Sequence, residues 1–275
     1  MPEFVAVESS PTIEGWYTLH EVYSLDWARW RALPPPRRAA IAGQARQWLE
    51  AAAAGRGDTK LYSVVTHKGD IMLCHYRDSP AALNQAELAL RQQPLFEFLN
   101  ATYSYLSVIE VSLYEVQAVA MRRLVERGLK RGTPEYEAAF DGEMETQKTR
   151  MNERLFRDIP TQRYICFYPM NKRRGEHVNW YALPLEERRM MMRGHGVLGH
   201  KYADLVTQVI GGSTGLDDWE WGVSLHADDP LQFKKLIYEM RFDPASSWFA
   251  EFGAFYVGVC VEPGSLGALL EGRLE

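Results

Sequence analysis

The sequence predicts an α+β chain in which one unit is used twice, and three observations carry that prediction. Residues recur at a constant offset of 150 positions: Trp30, Ala32, Leu33, Pro34 and Arg38 return as Trp180, Ala182, Leu183, Pro184 and Arg188, and Asp78, Pro80, Arg91 and Pro94 return as Asp228, Pro230, Arg241 and Pro244. Strand-type and helix-type apolar periodicity follow each other in the same order in both copies. Of 275 residues, 46% are hydrophobic and 24% charged, a composition that supports a core without disulfide or metal staples.

The first copy runs from about Ile13 to Leu113. A strand is expected around Trp16 to Tyr23. A helix follows Pro34, Pro35 and Pro36, because proline suits a helix start and not its interior. Two strands come next, LYSVVT from Leu61 and DIMLCHY from Asp70, with Lys68-Gly69 as the hairpin turn between them. Ser79 caps a second helix opened by Pro80, and YSYLSVIEV from Tyr103 closes the copy as a strand rich in β-formers. The second copy, about Arg163 to Val261, reads alike: RYICFY as a strand, the stretch from Leu183 to Val206 as a helix, WEWGVSLH as a strand, a helix opened by Asp229-Pro230, and AFYVGVCV from Ala254 as the last strand. In WEWGVSLH the alternation of Trp219, Trp221, Val223 and Leu225 with polar or small residues predicts one dry face.

Strand, helix, strand, strand, helix, strand is the order of a ferredoxin-like unit. Two tandem ferredoxin-like repeats each leave one sheet face uncovered, and packing those faces together gives a dimeric α+β barrel within one chain. The division expected is residues 1–113 as a repeat without cofactor, 114–158 as a charged helical connector broken at Gly132-Thr133-Pro134, and 159–275 as the repeat that carries the site. The connector is expected to be a solvated helix.

The totals exclude several classes. A net charge of −5 leaves no global basic footprint for nucleic acid. Cys74, Cys166 and Cys260 are three widely spaced residues in apolar runs, which fits reduced buried thiols and neither a disulfide framework nor a zinc site. The stretch MPEFVAVESSP lacks the pattern of a signal peptide, no apolar run is long enough to span a bilayer, and a cytoplasmic location is expected.

The copies differ where chemistry is concerned. Tyr168 stands against Thr18, and His195 against Ala45. His195 is surrounded by Gly194, Gly196 and Gly199 on a helical segment, at roughly 1 kcal/mol per glycine relative to alanine. One reason for tolerating that cost is access, since glycine lets a broad flat ligand approach the imidazole, and a single histidine is a common axial ligand of haem iron. A hydrogen-bonded core histidine in a loose helix is the alternative. His200 points away and reads as surface. Tyr168 ends a strand, where Pro169 interrupts pairing, beside Lys172, Arg173 and Arg174. Such a phenol could sit beside a carboxylate or simply rim the core. Arg241 and Ser246 could hold a carboxylate by charge-assisted hydrogen bonds, or Arg241 could pair with Asp243. Gln208, polar within VTQVI, needs partners if buried.

The motifs YPMNK, the glycine-flanked histidine of RGHGVLGH, DDWEWGV and LQFKKLIYEMRFD lie between Arg154 and Gly258. Together they closely resemble coproheme decarboxylase, the haem-synthesis branch of the chlorite dismutase superfamily. The resemblance implies hydrogen-peroxide-dependent oxidative decarboxylation of two propionates of Fe-coproporphyrin III, which serves as substrate and redox cofactor and leaves as haem b. It implies His195 as the iron ligand, Tyr168 as the tyrosine oxidised beside the reacting propionate, and Lys172 as the residue assisting the second decarboxylation. Arg154, Tyr168, Pro169, Met170, Asn171, Lys172, Gln208, Arg241 and Ser246 are implied as contacts to the porphyrin or its propionates. A homopentamer is implied as well, and transient contact with a ferrochelatase that delivers coprohaem stays open. Gln208, in place of a distal arginine, separates the chain from chlorite dismutases themselves. A chlorite dismutase-like or peroxidase haem enzyme and a non-catalytic haem carrier or sensor remain the alternatives.

Overall fold

The computed structural model describes residues 12–54 and 57–274; the amino-terminal stretch read above for targeting signals lies outside them. In chain order the elements of the first half are β1 (Thr12–Leu25), α1 (Trp27–Ala32), α2 (Pro35–Ala53), β2 (Asp58–Val65), β3 (Ile71–Arg77), α3 (Pro80–Arg91) and β4 (Leu99–Ser112). The connector forms α4 (Tyr114–Glu126) and α5 (Pro134–Leu155). The second half contains β5 (Tyr164–Lys172), α6 (Leu185–His200), β6 (Thr207–Gly212), β7 (Trp221–Ala227), α7 (Leu231–Met240), α8 (Pro244–Ser247), β8 (Ala250–Phe252), β9 (Tyr256–Val261) and α9 (Leu266–Leu270).

Local chemistry sets the ends of these elements. Ser79 Oγ accepts the Ala82 N–H at 3.2 Å, and Thr133 Oγ1 accepts that of Tyr136 at 3.3 Å, each satisfying an orphan donor at a helix start. Pro35, Pro80 and Pro134 each occupy a first turn, where no N–H is needed. α6 stops at His200, short of the expected end at Val206, and β6 follows at Thr207.

The strands form one sheet in the order β7–β6–β4–β1–β3–β2–β9–β5–β8, and β7 also pairs with β5. The sheet therefore closes on itself, and every pairing is antiparallel. The two halves join at β4–β6, where Val108 faces Gly212, and at β2–β9, where Tyr62 faces Cys260. Closure removes the exposed strand edges that an open sheet would present.

Three apolar clusters follow from this shape. The inward-facing cluster includes Trp16, Val22, Tyr62, Met72, Cys74, Tyr105, Ile165 and Phe167. Outside the first half, α2, α3 and α9 cover Tyr23, Leu61, Ile71 and Leu73. Outside the second half, Tyr202, Val206, Phe233 and Leu236 lie against Cys166, Tyr168, Val223 and Leu225. The three cysteines are free thiols, and only Cys260 is less than fully buried.

Two expectations are corrected here. The alternation in WEWGVSLH predicts a half-buried strand, yet β7 is buried on both faces, because Ser224 and His226 point into the closed barrel. The charge of the connector predicts a solvated helix, yet α5 inserts Met144, Met151 and Leu155 into the inward cluster. Among the described residues no helix is long and apolar enough to cross a membrane.

Candidate functional site

The site begins with a difference between two helices. α2 buries Ile41, Ala42, Ala45 and Leu49 against the first half. The same offset places Met191, Met192, His195 and Gly199 on the corresponding face of α6, and all four are only half-buried. Arg188 is the one fully buried residue of α6. The closest helical neighbours of α6 are α7, α8 and α4. The candidate binding slot is the space beside this half-covered face, with two methionines, a histidine and a glycine as its helix wall.

The sheet side of that slot is the outer face of β5, β6 and β7. Tyr168 lies opposite Val223 across the β5–β7 pair, and Gln208 lies opposite Leu225 across β6–β7. A Cβ placed on Gly199 would stand 3.4 Å from Met240 Cε and 3.5 Å from Gln208 Nε2. Those are ordinary van der Waals distances, so the site has room for a Cβ. A Cβ on Gly194 or Gly196 would meet nothing within 4 Å, so packing within the chain requires none of the three glycines. His200 is exposed.

His195 is oriented by a carboxylate. Its Nδ1 lies 2.9 Å from Asp243 Oδ2, with side-chain exposures of 31% and 6% for the two residues. Asp243 is fixed in turn by capping α8, accepting the Ser246 N–H at 3.1 Å. The carboxylate holds Nδ1 as the protonated nitrogen and leaves Nε2 with the lone pair, the arrangement that suits metal ligation. Among the described residues no group of three or more His, Cys, Asp or Glu could hold a metal ion. A metal at His195 would have to bring most of its ligands with it, as an iron porphyrin does.

Tyr168 is packed between aromatic rings, with centroids 4.6 Å from Phe255 and 5.8 Å from Phe252. The Arg241 guanidinium lies 3.9 Å over the Phe252 ring and does not pair with Asp243. Burial pushes the Tyr168 phenol well above its ordinary range, and Arg241 opposes this only in part. The phenol therefore stays protonated at neutral pH. Pro169 does not end the strand, as expected from sequence; β5 continues to Lys172 by exchanging β9 for β8 as its neighbour, and the proline falls at the exchange. Its carbonyl accepts the Gly253 N–H at 2.8 Å.

Lys172 is buried. Its Nζ donates to the Ala245 carbonyl at 2.6 Å and lies 4.4 Å over the Trp180 ring. Burial lowers its pKa to about 8, with Asp243 and then Glu220 opposing the shift. Met170 is half-buried beside the aromatic cluster, and Asn171 Oδ1 accepts the Glu220 N–H at 2.7 Å. Ser246 is buried in α8. The structure thus brings together Tyr168, Lys172, His195, Gln208, Arg241 and Ser246, with Pro169, Met170 and Asn171 on the strand between them. Arg154 is exposed in the last turn of α5, and none of the hydrogen bonds of this cluster involves it. Sequence reasoning missed Asp243 as the partner of His195, and Met191 and Met192 as slot lining. The 150-residue offset applied to the buried face of α2 would have found the methionines.

A family model described as chlorite dismutase matches residues 38–261. The chain belongs to the chlorite dismutase family. Two curated relatives are provisionally named heme-binding proteins. That of Haloquadratum walsbyi is 42% identical over 97% of this chain and 48% of its own length, and that of Natronomonas pharaonis is 42% identical over 94% and 41%. The chain spans about half the length of these curated relatives. Among solved structures, a heme-binding protein from Thermus thermophilus is 39% identical, covers 96% of this chain and 98% of its own, and superposes with a TM-score of 0.79. A mutant chlorite dismutase from Candidatus Nitrospira defluvii shares 18% identity over 94% and 96% of the two chains at a TM-score of 0.70, which establishes a common α+β fold and no more.

Proposed function

We propose that this member of the chlorite dismutase family binds an iron porphyrin in the slot under α6 and converts Fe-coproporphyrin III to haem b by oxidative decarboxylation of two propionates with hydrogen peroxide. One observation carries the reading: where α2 buries Ile41, Ala42, Ala45 and Leu49, α6 leaves Met191, Met192, His195 and Gly199 only half-buried. The names of the relatives support haem binding, and the YPMNK, RGHGVLGH and DDWEWGV motifs support the decarboxylase branch.

In this reading His195 supplies Nε2 to the iron, and Asp243 fixes the tautomer that makes this possible. When bound, the iron porphyrin supplies the redox chemistry that no side chain here could. The chain's own residues do the rest. Lys172 and Arg241 offer cations, and Ser246 a hydroxyl, to propionates, with Arg154 as a further contact. Tyr168, protonated and shielded among Phe252 and Phe255, is placed to give up its phenolic hydrogen and then take one from the propionate β-carbon. Each round uses one hydrogen peroxide, replaces a propionic acid by a vinyl group, and releases one carbon dioxide and two waters. Gln208 faces the slot as a neutral residue. The strand orders β4–β1–β3–β2 and β9–β5–β7–β6 support reading the barrel as two ferredoxin-like units. The resemblance supports a homopentamer, to which the exposed side chains of Tyr238, Phe242 and Trp248 are available.

The test is mass analysis of the porphyrin after ferric coproporphyrin III is mixed with the protein and hydrogen peroxide is titrated in. Stepwise loss of two carboxyl groups ending at haem b is expected. Tyr168→Phe is expected to bind the porphyrin and leave its mass unchanged, and Lys172→Ala to accumulate the product of a single loss. Tight binding with no mass change in the wild type would overturn the activity and leave a carrier or sensor. Oxygen release from chlorite would place the chain with the dismutases.

A further inference from the structure

The inside of the barrel, on the opposite face of β5 and β7 from the slot, is not uniformly apolar. His20 points inward from β1: Nε2 lies 3.0 Å from Ser224 Oγ and 3.3 Å from Cys74 Sγ, the ring stacks on Phe167 at 4.1 Å, and Nδ1 has no hydrogen-bond partner. Toward the end covered by residues 156–163, further unpaired groups gather. Both ring nitrogens of His226, the hydroxyls of Tyr62 and Tyr76, and Nε of Arg157 are buried without a hydrogen-bond partner. Tyr62, Tyr76 and His226 are all 0% exposed. An unpaired buried polar atom costs about 1–3 kcal/mol, and native interiors rarely concentrate several in one place.

The Tyr62 ring lies 6.4 Å from that of His226. Arg157 and Lys60 both act electrostatically on His226, and Arg157 acts on Tyr76, which in turn acts on Tyr62. Burial first, then His20, Lys60 and Arg157, hold the His226 imidazole neutral, with a pKa of about 3, so it keeps one N–H. The unpaired set therefore holds four donors, two phenol O–H groups, one guanidinium N–H and one imidazole N–H, beside two acceptors, the other His226 nitrogen and Gln162 Oε1. The nearby carboxylate, Asp58, is already engaged by the backbone N–H groups of Thr59, at 2.7 Å, and Ile159. Lys60 Nζ reaches the Pro160 carbonyl at 3.4 Å, on the covering segment. Ile159, 1% exposed, plugs the same end with apolar surface.

Unpaired buried donors beside two cations are the chemistry of an anion site. We propose that this end of the barrel binds one small monovalent anion of the halide class, held by Tyr62, Tyr76, Arg157 and His226. The site is independent of the porphyrin reading, because none of these residues lines the slot. It links the covering segment after α5 to β2, β3 and β7, and so to both halves of the barrel.

Bromide tests it directly, in crystals of the full chain and in solution. The expected crystallographic result is an anomalous bromide peak within hydrogen-bond distance of the Tyr62 and Tyr76 hydroxyls and Arg157 Nε. In solution, replacing gluconate by bromide at constant ionic strength should raise Tm saturably, as ligand binding to the folded state requires. Tyr62→Phe removes one unpaired oxygen and Arg157→Met one charged donor; each should weaken bromide affinity by about tenfold to a hundredfold. Water alone at these atoms, or peaks confined to surface positions as an adventitious ion only, would overturn the proposal. So would bromide-dependent stabilisation that is absent, or unchanged in both variants.

Discussion

α2 and α6 occupy corresponding places in the two halves and do opposite things with them. α2 turns Ile41, Ala42, Ala45 and Leu49 into the core, while Trp30 beneath its start donates to the Leu270 carbonyl and Arg38 pairs with Glu271 at 2.7 Å. The carboxy-terminal helix α9 adds Leu266 and Leu270 to the same cluster. α6 keeps the equivalents of Trp30 and Arg38, as Trp180 and Arg188, both buried. It gives up the packing residues in favour of methionine, histidine and glycine. The anchor at the start of the helix is retained, and the closure along its length is lost. A duplicated scaffold can open a site in this way at the cost of one apolar seam, because the barrel interior beneath it remains intact.

The comparison can be broken most forcefully from the closed side. Leu49→Gly puts into α2 the residue that α6 carries at Gly199. It should cost about 3–6 kcal/mol, combining cavity formation and helix propensity. Denaturant unfolding measures it, and a loss below about 1 kcal/mol would show that Leu49 does not close the first half.

On the open side, Asp243→Asn removes the charge that orients His195. Affinity for an iron porphyrin, read from the Soret band, should fall by about 10–100-fold, as for other partners behind metal-bound histidines. Unchanged affinity would mean that His195 needs no such partner.

Gly199→Leu is the reciprocal exchange. It should raise stability by about 1–2 kcal/mol, through burial and relief of the glycine, while abolishing porphyrin uptake. Gain of stability with full binding would place the ligand elsewhere.

The smallest effect is a pH dependence. Lys172 carries its proton below about pH 8 and loses it above. If the cation meets a propionate, the bound state holds that proton more tightly than the free state, so affinity falls as pH rises. Between pH 8 and 9 the fall should reach up to about tenfold. Lys172→Met should show a flat profile, and a wild-type profile equally flat would remove Lys172 from the propionate contacts.

Much of this was legible in the chain as a string. Apolar periodicity, proline at helix starts, the cap Ser79 and the break at Gly132-Thr133-Pro134 are local signals, and the elements they mark are present. The offset pointed to His195 because a glycine-flanked histidine stands against Ala45. Other features had no local signal. β8 is three residues long and exists only because β5 changes neighbours at Pro169. The two-sided burial of β7 depends on the sheet closing, since Ser224 and His226 look like solvent-facing residues in an alternating strand.

Sequence determined the 150-residue offset, the element order and the family, because each is written in the order and spacing of residues along the chain. Tertiary structure decided that the corresponding face of α6 stays half-buried, that Asp243 engages His195 and not Arg241, that Lys172 is buried against Trp180 and Ala245, and that polar side chains gather at one end of the barrel. Those outcomes join residues up to about two hundred positions apart, as His20 and Ser224 are, and such contacts depend on loop closure and packing rather than local preference.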